Sequence, residues 1–534
     1  MLRDFMTVQE SKASQGLPKK TQSLCPECKA IIDAEIYEED GKAVMKKTCK
    51  EHGEFKDTVW SDVDFYLEAE KFALDGMGVE NPNTKNEKGC PLECGLCDQH
   101  FSHTALANID LTNRCNLKCP ICFANANAAG YVYEPSYEEV VKMLKLLRAE
   151  KPVATLVVQF SGGEPTLHPR LFDLIKKANE LGFSQVQVAT NGILLARDPK
   201  YTQALVDAGL HTVYLQFDGV KEENYIPTRG KPLLKTKIKV IENCRKTKPK
   251  PLSTALVPTI VNTINDDQVG PILDFAIKNS DVVKGINYQP VAFTGRISKE
   301  ERDEQRFTLT DMVNRLVEHS DFLKKEDFYP VPSVAPISYL ASVLADQPKL
   351  TFTCHAHCGV ATYLFIEEDG KIIPLPRFID IEGMMSEMMR LGQKWSGKGI
   401  QLALKLGGVI KTEKGKEKSM VKGFRKYFGQ YIDENKMPKG LDIPSLLSGV
   451  ITDRTKSAVS DFTWRTMFVG GMHFQDLYNY DIQRVQRCAV HYATPDNRLI
   501  PFCSYNSGPT YREEVEKKFS VPISEWRGGK IVED

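Results

Sequence analysis

The chain lacks an excess of either charge. Its 534 residues carry 70 lysines and arginines against 70 aspartates and glutamates, so no global field draws it to nucleic acid. It also lacks any apolar run of the eighteen or so residues that a membrane-spanning helix needs. The opening MLRDFMTVQESKASQG has no apolar stretch of the kind a secretory leader carries, so a cytoplasmic protein is expected. Disulfides are rare there. The fourteen cysteines therefore read as metal ligands and not as a covalent framework.

A further shortage is local. NRCNLKCPICF (113–123) holds Cys115, Cys119 and Cys122 in the spacing C-x3-C-x2-C, one thiolate short of the usual four for a four-iron cluster. Three ligands leave one iron open to something else. A structural zinc knuckle is the bland alternative, but zinc wants four ligands and usually C-x2-C pairs.

The other cysteines are also grouped. Cys25 and Cys28 lie in CPEC, and Cys49 with His52 could close a tetrahedral site for one iron (rubredoxin-like) or one zinc. Cys90, Cys94 and Cys97 repeat the C-x3-C-x2-C spacing, with His100 or His103 near enough in sequence to be a fourth ligand. Cys354, Cys358, Cys488 and Cys503 make a full set of four. Three four-iron clusters and one mononuclear site are expected, and histidines would supply the ligands that cysteine does not. Cys244, alone at helical spacing in VIENCRK, reads as packing. Cluster potentials span several hundred millivolts, so the extra sites imply electron relay, fed by a low-potential donor, or chemistry on sulfur.

At this length two to four domains are expected. Residues 1–20 read as a mobile polar tail. Residues 21–103 read as a small β ribbon and metal-binding domain, with EDG as a hairpin turn. From 104 to 300 strand-like runs alternate with amphipathic helices: ALANIDLT, then SYEEVVKMLKLLRAE with Ser136 and Glu139 as a capping box, TLVVQF, SQVQVAT, HTVYLQFDG, LSTALVPTIV and GINYQPV. That alternation implies a parallel α/β sheet with right-handed crossovers, a partial (β/α)6 barrel. Residues 301–534 read as an irregular, mainly helical auxiliary-cluster domain. Within it, 381–429 places Met384, Met385, Met388 and Met389 beside a basic stretch, with eleven lysines or arginines against two glutamates between Arg390 and Lys426. Either the methionines pack in a core, or the element lies on anionic lipid headgroups as a peripheral membrane contact.

The barrel region resembles the radical S-adenosylmethionine (SAM) superfamily. The cysteine loop follows the first strand, SGGEPTLHP (161–169) the second, TNG (190–192) the third and QFDG (216–219) the fourth. The resemblance implies a cluster on Cys115, Cys119 and Cys122 that cleaves SAM reductively to a 5′-deoxyadenosyl radical. It implies that Gly162, Gly163 and Glu164 hold the methionine amino group, and that Asn191 and Gln216 touch its ribose or carboxylate. Over 25–506 the chain resembles archaeal tetraether lipid synthases, through CPECKAIIDAEIYEEDGK, GCPLECGLCDQHFSHTALANIDLTNRCNLKCPICFANAN and CAVHYATPDNRLIPFCSYN among other stretches. That implies coupling of the terminal methyl carbons of two diether phospholipid tails, with the carbon radical captured at an auxiliary-cluster sulfide. An enzymatic rival within the same resemblance is methylation of a pterin precursor, which needs a polar pocket and no lipid-facing element. A non-enzymatic electron carrier is the remote alternative.

Overall fold

The computed structural model describes residues 8–396, 425–439, 441, 443 and 462–526. An antiparallel four-stranded ribbon comes first, in sequential order: β1 (Lys19–Leu24), β2 (Ile31–Glu39), β3 (Lys42–Cys49) and β4 (Gly53–Trp60). Asp40 and Gly41, both at positive φ, make the two-residue turn between β2 and β3. Helix α1 (Val63–Glu70) follows, capped by Asp62, whose carboxylate accepts from the Phe65 amide at 2.9 Å. Residues 8–20, expected as a mobile tail, are instead tied down. Val8 and Ala13 are buried, Gln9–Glu10 pairs with Leu74–Asp75, and the Gly16 amide donates to Glu70 at 2.7 Å.

The barrel elements are β5 (Leu106–Thr112), α2 (Tyr137–Arg148), β6 (Val157–Gly162), α3 (Leu171–Glu180), β7 (Gln185–Thr190), α4 (Pro199–Asp207), β8 (Thr212–Gln216), α5 (Leu234–Lys246), β9 (Ser253–Val257), α6 (Val269–Lys278) and β10 (Val283–Pro290). The six strands pair in parallel, in chain order. Helix α2 starts at the expected capping box: Ser136 Oγ accepts from the Glu139 amide at 3.2 Å, and Glu139 accepts from the Ser136 amide at 2.8 Å. Its Val140, Met143, Leu144 and Leu147 bury against Ile109, Val158 and Phe160 in one core that runs under the whole sheet.

The α/β class and the partial barrel stand, but the sheet does not stop at residue 300. After α7 (Leu309–His319) and α8 (Ala335–Ala345) come β11 (Gly359–Ile366), α9 (Ile381–Trp395), β12 (Thr466–Met472), β13 (Val490–Ala493) and α10 (Tyr511–Lys518). Strand β12 pairs in parallel with β10, and β13 in parallel with β5. The C-terminal region therefore supplies a strand to each edge of the six. The runs TMFVGGM and VHYA are short and weakly patterned, so neither strand is conspicuous in sequence.

The methionine stripe is core. Met384, Met385 and Met388 of α9 bury among Leu340, Phe365, Phe378 and Ile379. A helix that already buries this face has no apolar stripe left to lay on lipid. Residues 397–424, most of the basic stretch, lie outside the described residues.

Candidate active site

The strand C-termini gather the predicted motifs. Thr112 ends β5, and the chain then enters the cysteine loop, which Asn127 holds from within. Its Oδ1 accepts from the Cys115 amide at 2.9 Å, and its Nδ2 donates to the carbonyls of Cys115 at 2.7 Å and Leu117 at 3.2 Å. Arg296, beyond β10, clamps the loop from outside, with Nη1 donating to the Cys119 carbonyl at 3.1 Å and its amide to the Cys122 carbonyl at 3.0 Å. Gly295 sits at φ +72, where a Cβ would stand 2.4 Å from the Cys122 carbonyl oxygen. Neither Gly295 nor Arg296 was legible as functional, because TGR carries no motif. The three thiols pack in one buried group with Leu117, Ala126 and Tyr225. Burial pushes the Cys115 and Cys119 thiols up, so they stay protonated at neutral pH unless a metal or cation takes the thiolate.

The SGGEP turn is zipped to that loop. The Gly163 amide donates to the Thr112 carbonyl at 2.7 Å, and the Glu164 amide to the Arg114 carbonyl at 2.8 Å. A Cβ on Gly162, at φ +128, would lie 2.3 Å from the Thr112 oxygen, and one on Gly163 would lie 2.3 Å from the Arg114 oxygen. The glycines thus admit the chain's own backbone. Glu164 is fully enclosed, and its carboxylate accepts from Thr166 Oγ1 at 2.5 Å, Thr190 Oγ1 at 2.7 Å and the Asn191 amide at 2.8 Å. It braces the second βα turn against the third. Burial pushes its carboxyl up, against these donors.

Asn191 points its Nδ2 at Asn116 Oδ1, 2.7 Å away, with Cys115 Sγ at 4.0 Å. Gln216 accepts from Lys237 Nζ at 2.8 Å. Lys237 is wholly buried, also donates to the Asn191 carbonyl at 2.5 Å, and is pushed down to about 7 by that burial. Asp218 takes a two-pronged ion pair from Arg229 at 2.6 and 2.8 Å, and Arg229 also reaches the Cys119 thiol. Arg229, its charge balanced by Asp218, and a lysine that burial leaves only partly protonated at neutral pH therefore sit beside the cysteine loop, where a thiolate-bound cluster would add negative charge. Sequence reasoning missed both, since one lysine in KTKIKVIENC is not distinguishable from its solvated neighbours.

The N-terminal site is compact. Cys25 Sγ lies 3.7 Å from His52 Nδ1, Cys49 Sγ lies 3.5 Å from it, and Cys28 Sγ lies 3.9 Å from Cys49 Sγ. Tetrahedral ligands about 2.3 Å from one ion stand about 3.8 Å apart, so these four fit a single zinc or iron and His52 is the fourth partner. The C-terminal four are also brought together: Cys354 feels Cys358 and Cys488, and Cys503 feels Cys358. Cys90 lies with Cys94 and Cys97, and Cys94 Sγ donates to Ser504 Oγ at 3.3 Å. His100 does not serve this trio as expected. Its Nε2 faces the Cys488 carbonyl at 2.7 Å and His491 Nε2 at 3.2 Å, so a short sequence separation from Cys97 did not translate into convergence. His103 Nε2 instead accepts from the Thr351 amide at 3.1 Å. Cys244 is buried in the main core.

A parallel barrel whose first βα loop carries three cysteines, braced by a glycine-rich second turn, defines a radical SAM enzyme, with a four-iron cluster and SAM as its working parts. Residues 109–276 match the radical SAM superfamily, and residues 17–61 match the HMPTM N-terminal zinc ribbon domain. The chain is 48% identical over 514 residues to the 7,8-dihydro-6-hydroxymethylpterin dimethyltransferase of Methanocaldococcus jannaschii, across 96% of this chain and 97% of the relative. It belongs to the family of that enzyme. The GTP 3′,8-cyclase of Clostridium acetobutylicum is 27% identical over 208 residues, 39% of this chain and 63% of the cyclase. Streptococcus suis SuiB bound to S-adenosylmethionine superposes with a TM-score of 0.33 at 17% identity, over 41% of this chain and 47% of that one.

The near full-length relative overturns the expectation of a tetraether lipid synthase, and with it the diether phospholipid substrate. The radical machinery is common to both readings, and the motifs quoted for the lipid reading report that machinery. No described helix is long and apolar enough to cross a membrane.

Proposed function

We propose that this protein transfers methyl groups to a 7,8-dihydro-6-hydroxymethylpterin or a closely related dihydropterin. The observation that carries the reading is the 48% identity over nearly the full length of both chains to an enzyme of that name. In this reading Cys115, Cys119 and Cys122 would hold the four-iron cluster, whose chemistry would be one-electron reduction of the SAM sulfonium. The residues around it bind and orient. Asn127 and Arg296 keep the three thiols at the barrel mouth. Arg229, and Lys237 when protonated, would offer positive charge to the SAM carboxylate, and Glu164 fixes the spacing of the turns that flank it. The ribbon metal on Cys25, Cys28, Cys49 and His52 is structural, because its four ligands leave no open position. Cys354, Cys358, Cys488 and Cys503, and separately Cys90, Cys94 and Cys97, hold auxiliary clusters that pass electrons from a low-potential donor.

Anaerobic incubation of the reduced protein with SAM and 7,8-dihydro-6-hydroxymethylpterin tests this. Reductive cleavage leaves the methyl on methionine, so a second SAM is the methyl donor, and mass spectrometry should find mono- and dimethylated pterin together with 5′-deoxyadenosine, methionine and, in step with methylation, S-adenosylhomocysteine. Unmodified pterin alongside steady 5′-deoxyadenosine formation would remove the pterin reading and leave the radical chemistry intact.

A further inference from the structure

The two faces of the barrel sheet differ in chemistry. Ala107, Ile109, Val158, Phe160, Val186, Val188, Val213, Leu215 and Ile286 point outward into the helix-covered core. Side chains alternate along a strand, so Asn108, Gln159, Gln187, Tyr214, Asn287 and Gln289 share the inner face. Strand register aligns Asn108 with Gln159 and Gln159 with Gln187. Gln187 Nε2 donates to Gln159 Oε1 at 2.8 Å, and Gln159 Nε2 donates to Asn108 Oδ1 at 2.7 Å, which makes a row of amides across three strands. Further round, Asn287 Nδ2 donates to the Tyr214 hydroxyl, and Gln289 Nε2 approaches the same oxygen at 3.5 Å.

Asn287 is 8% exposed, and its Oδ1 has no hydrogen-bond partner among the described residues. Leaving a buried amide oxygen unpaired costs about 1–3 kcal/mol, so this acceptor inside the barrel takes its donor from a water or from a bound ligand that displaces it. Five uncharged amides and a phenol on one concave face offer both donors and acceptors and no net charge. A flat ring bearing ring nitrogens, an exocyclic amine and a lactam carbonyl matches that inventory. A hydrocarbon tail would leave every one of these groups facing methylene.

We propose that this inner face is the substrate site, where Asn108, Gln159, Gln187, Tyr214, Asn287 and Gln289 recognise the hydrogen-bonding edge of the pterin ring. The assignment rests on the pterin reading above. The same chemistry could be met by the adenine of SAM, so the test measures both ligands.

The full chain, with its clusters reconstituted, is titrated anaerobically with 6-hydroxymethyl-7,8-dihydropterin and, separately, with SAM. Asn287→Leu and Gln159→Leu should each weaken pterin binding tenfold or more and leave SAM affinity within twofold. Iron content and thermal midpoint report whether the variants fold. Asn287→Ala, which removes the unpaired acceptor without adding bulk, serves if the leucine variants do not, and the same tenfold loss is expected. Pterin affinities within twofold of wild type in folded variants would overturn the site while the pterin reading stood. Loss of SAM binding in place of pterin binding would reassign the amides to adenine and overturn the proposal. Failure of the wild-type protein to bind the pterin would overturn the functional reading and the site together.

Discussion

In the ribbon, Cys25, Cys28, Cys49 and His52 stand within bonding distance of one ion before any ion is considered. At the barrel mouth, Cys115, Cys119 and Cys122 ride on a single loop that other residues hold in place: Asn127 from inside, Arg296 from outside, and Gly163 by close backbone contact. The ribbon knuckles are short turns whose ends the strands bring together, so the metal closes a structure the strands define. The catalytic loop is longer, and the bonds from Asn127 and Arg296 that set its shape go to its backbone and not to the thiols. Metal loss should thus affect stability at the first site and chemistry at the second.

The sharpest way to break that contrast is Cys119→Ala. It should reduce 5′-deoxyadenosine formation to background and remove one cluster's iron, while the ribbon metal and the thermal midpoint stay near wild type. Cys28→Ser should do the reverse, releasing the ribbon metal and lowering the midpoint with SAM cleavage preserved. Equal loss of cleavage in both variants would show that the two regions are one cooperative unit.

The next effect concerns the joint between the regions. Arg306 is buried between Asp57 of the ribbon and Asp476 of the C-terminal region, with contacts of 2.6 and 2.8 Å. Arg306→Met leaves buried Asp476 without its cation and Asp57 with Arg302 alone, and should cost about 3–5 kcal/mol in chemical denaturation. A cost under about 1 kcal/mol would mean that the ribbon docks by other contacts.

A smaller effect is expected at Gly163→Ala. The added Cβ meets the Arg114 carbonyl at 2.3 Å, so about 1–3 kcal/mol of stability should be lost. SAM affinity should fall as the two turns separate. Unchanged affinity would show that the cysteine loop keeps its place without the zipper.

The smallest effect is a slope. Burial lowers Lys237 to about 7 from an ordinary 10.5. Between those values the unfolded chain binds a proton that the folded protein does not, so stability rises with pH by up to about 1.4 kcal/mol per unit. Below about 7 the burial cost is fully present. Lys237→Met should remove that slope, as urea denaturation between pH 7 and 10 would report. A slope retained in the variant would place the titration elsewhere.

The sequence made the six central strands, the capping box at Ser136 and the cysteine groups legible, because each depends on neighbours in the chain. The catalytic motifs were readable for the same reason, as the loops after β5, β6 and β7 hold contiguous signals. What escaped was scattered. Arg296 and Lys237 each act from a different element, and β12 and β13 find their partners far away in sequence. His100 shows the converse error: nearness to Cys97 in sequence suggested a ligand, and the backbone turned the ring toward Cys488. The lipid reading failed for a related reason. Substrate contacts on a barrel come one or two per strand, so no contiguous stretch spells them out, whereas the methionine stripe of α9 was conspicuous and belongs to the core.

The two edge strands also set a timetable for biosynthesis. When the ribosome has made the chain through β10, the six-stranded sheet has both edges bare, and β13 lies about 200 residues further on. At about 5–20 residues per second that interval lasts about 10–40 s. Throughout it, β5 and β10 present unpaired backbone, the template on which chains pair with one another. A growing chain of this kind needs a chaperone's shelter or a low temperature until its last strands emerge. Expression as a truncated barrel should therefore yield aggregate, and slowed translation or chaperone supply should raise the soluble fraction of the full chain.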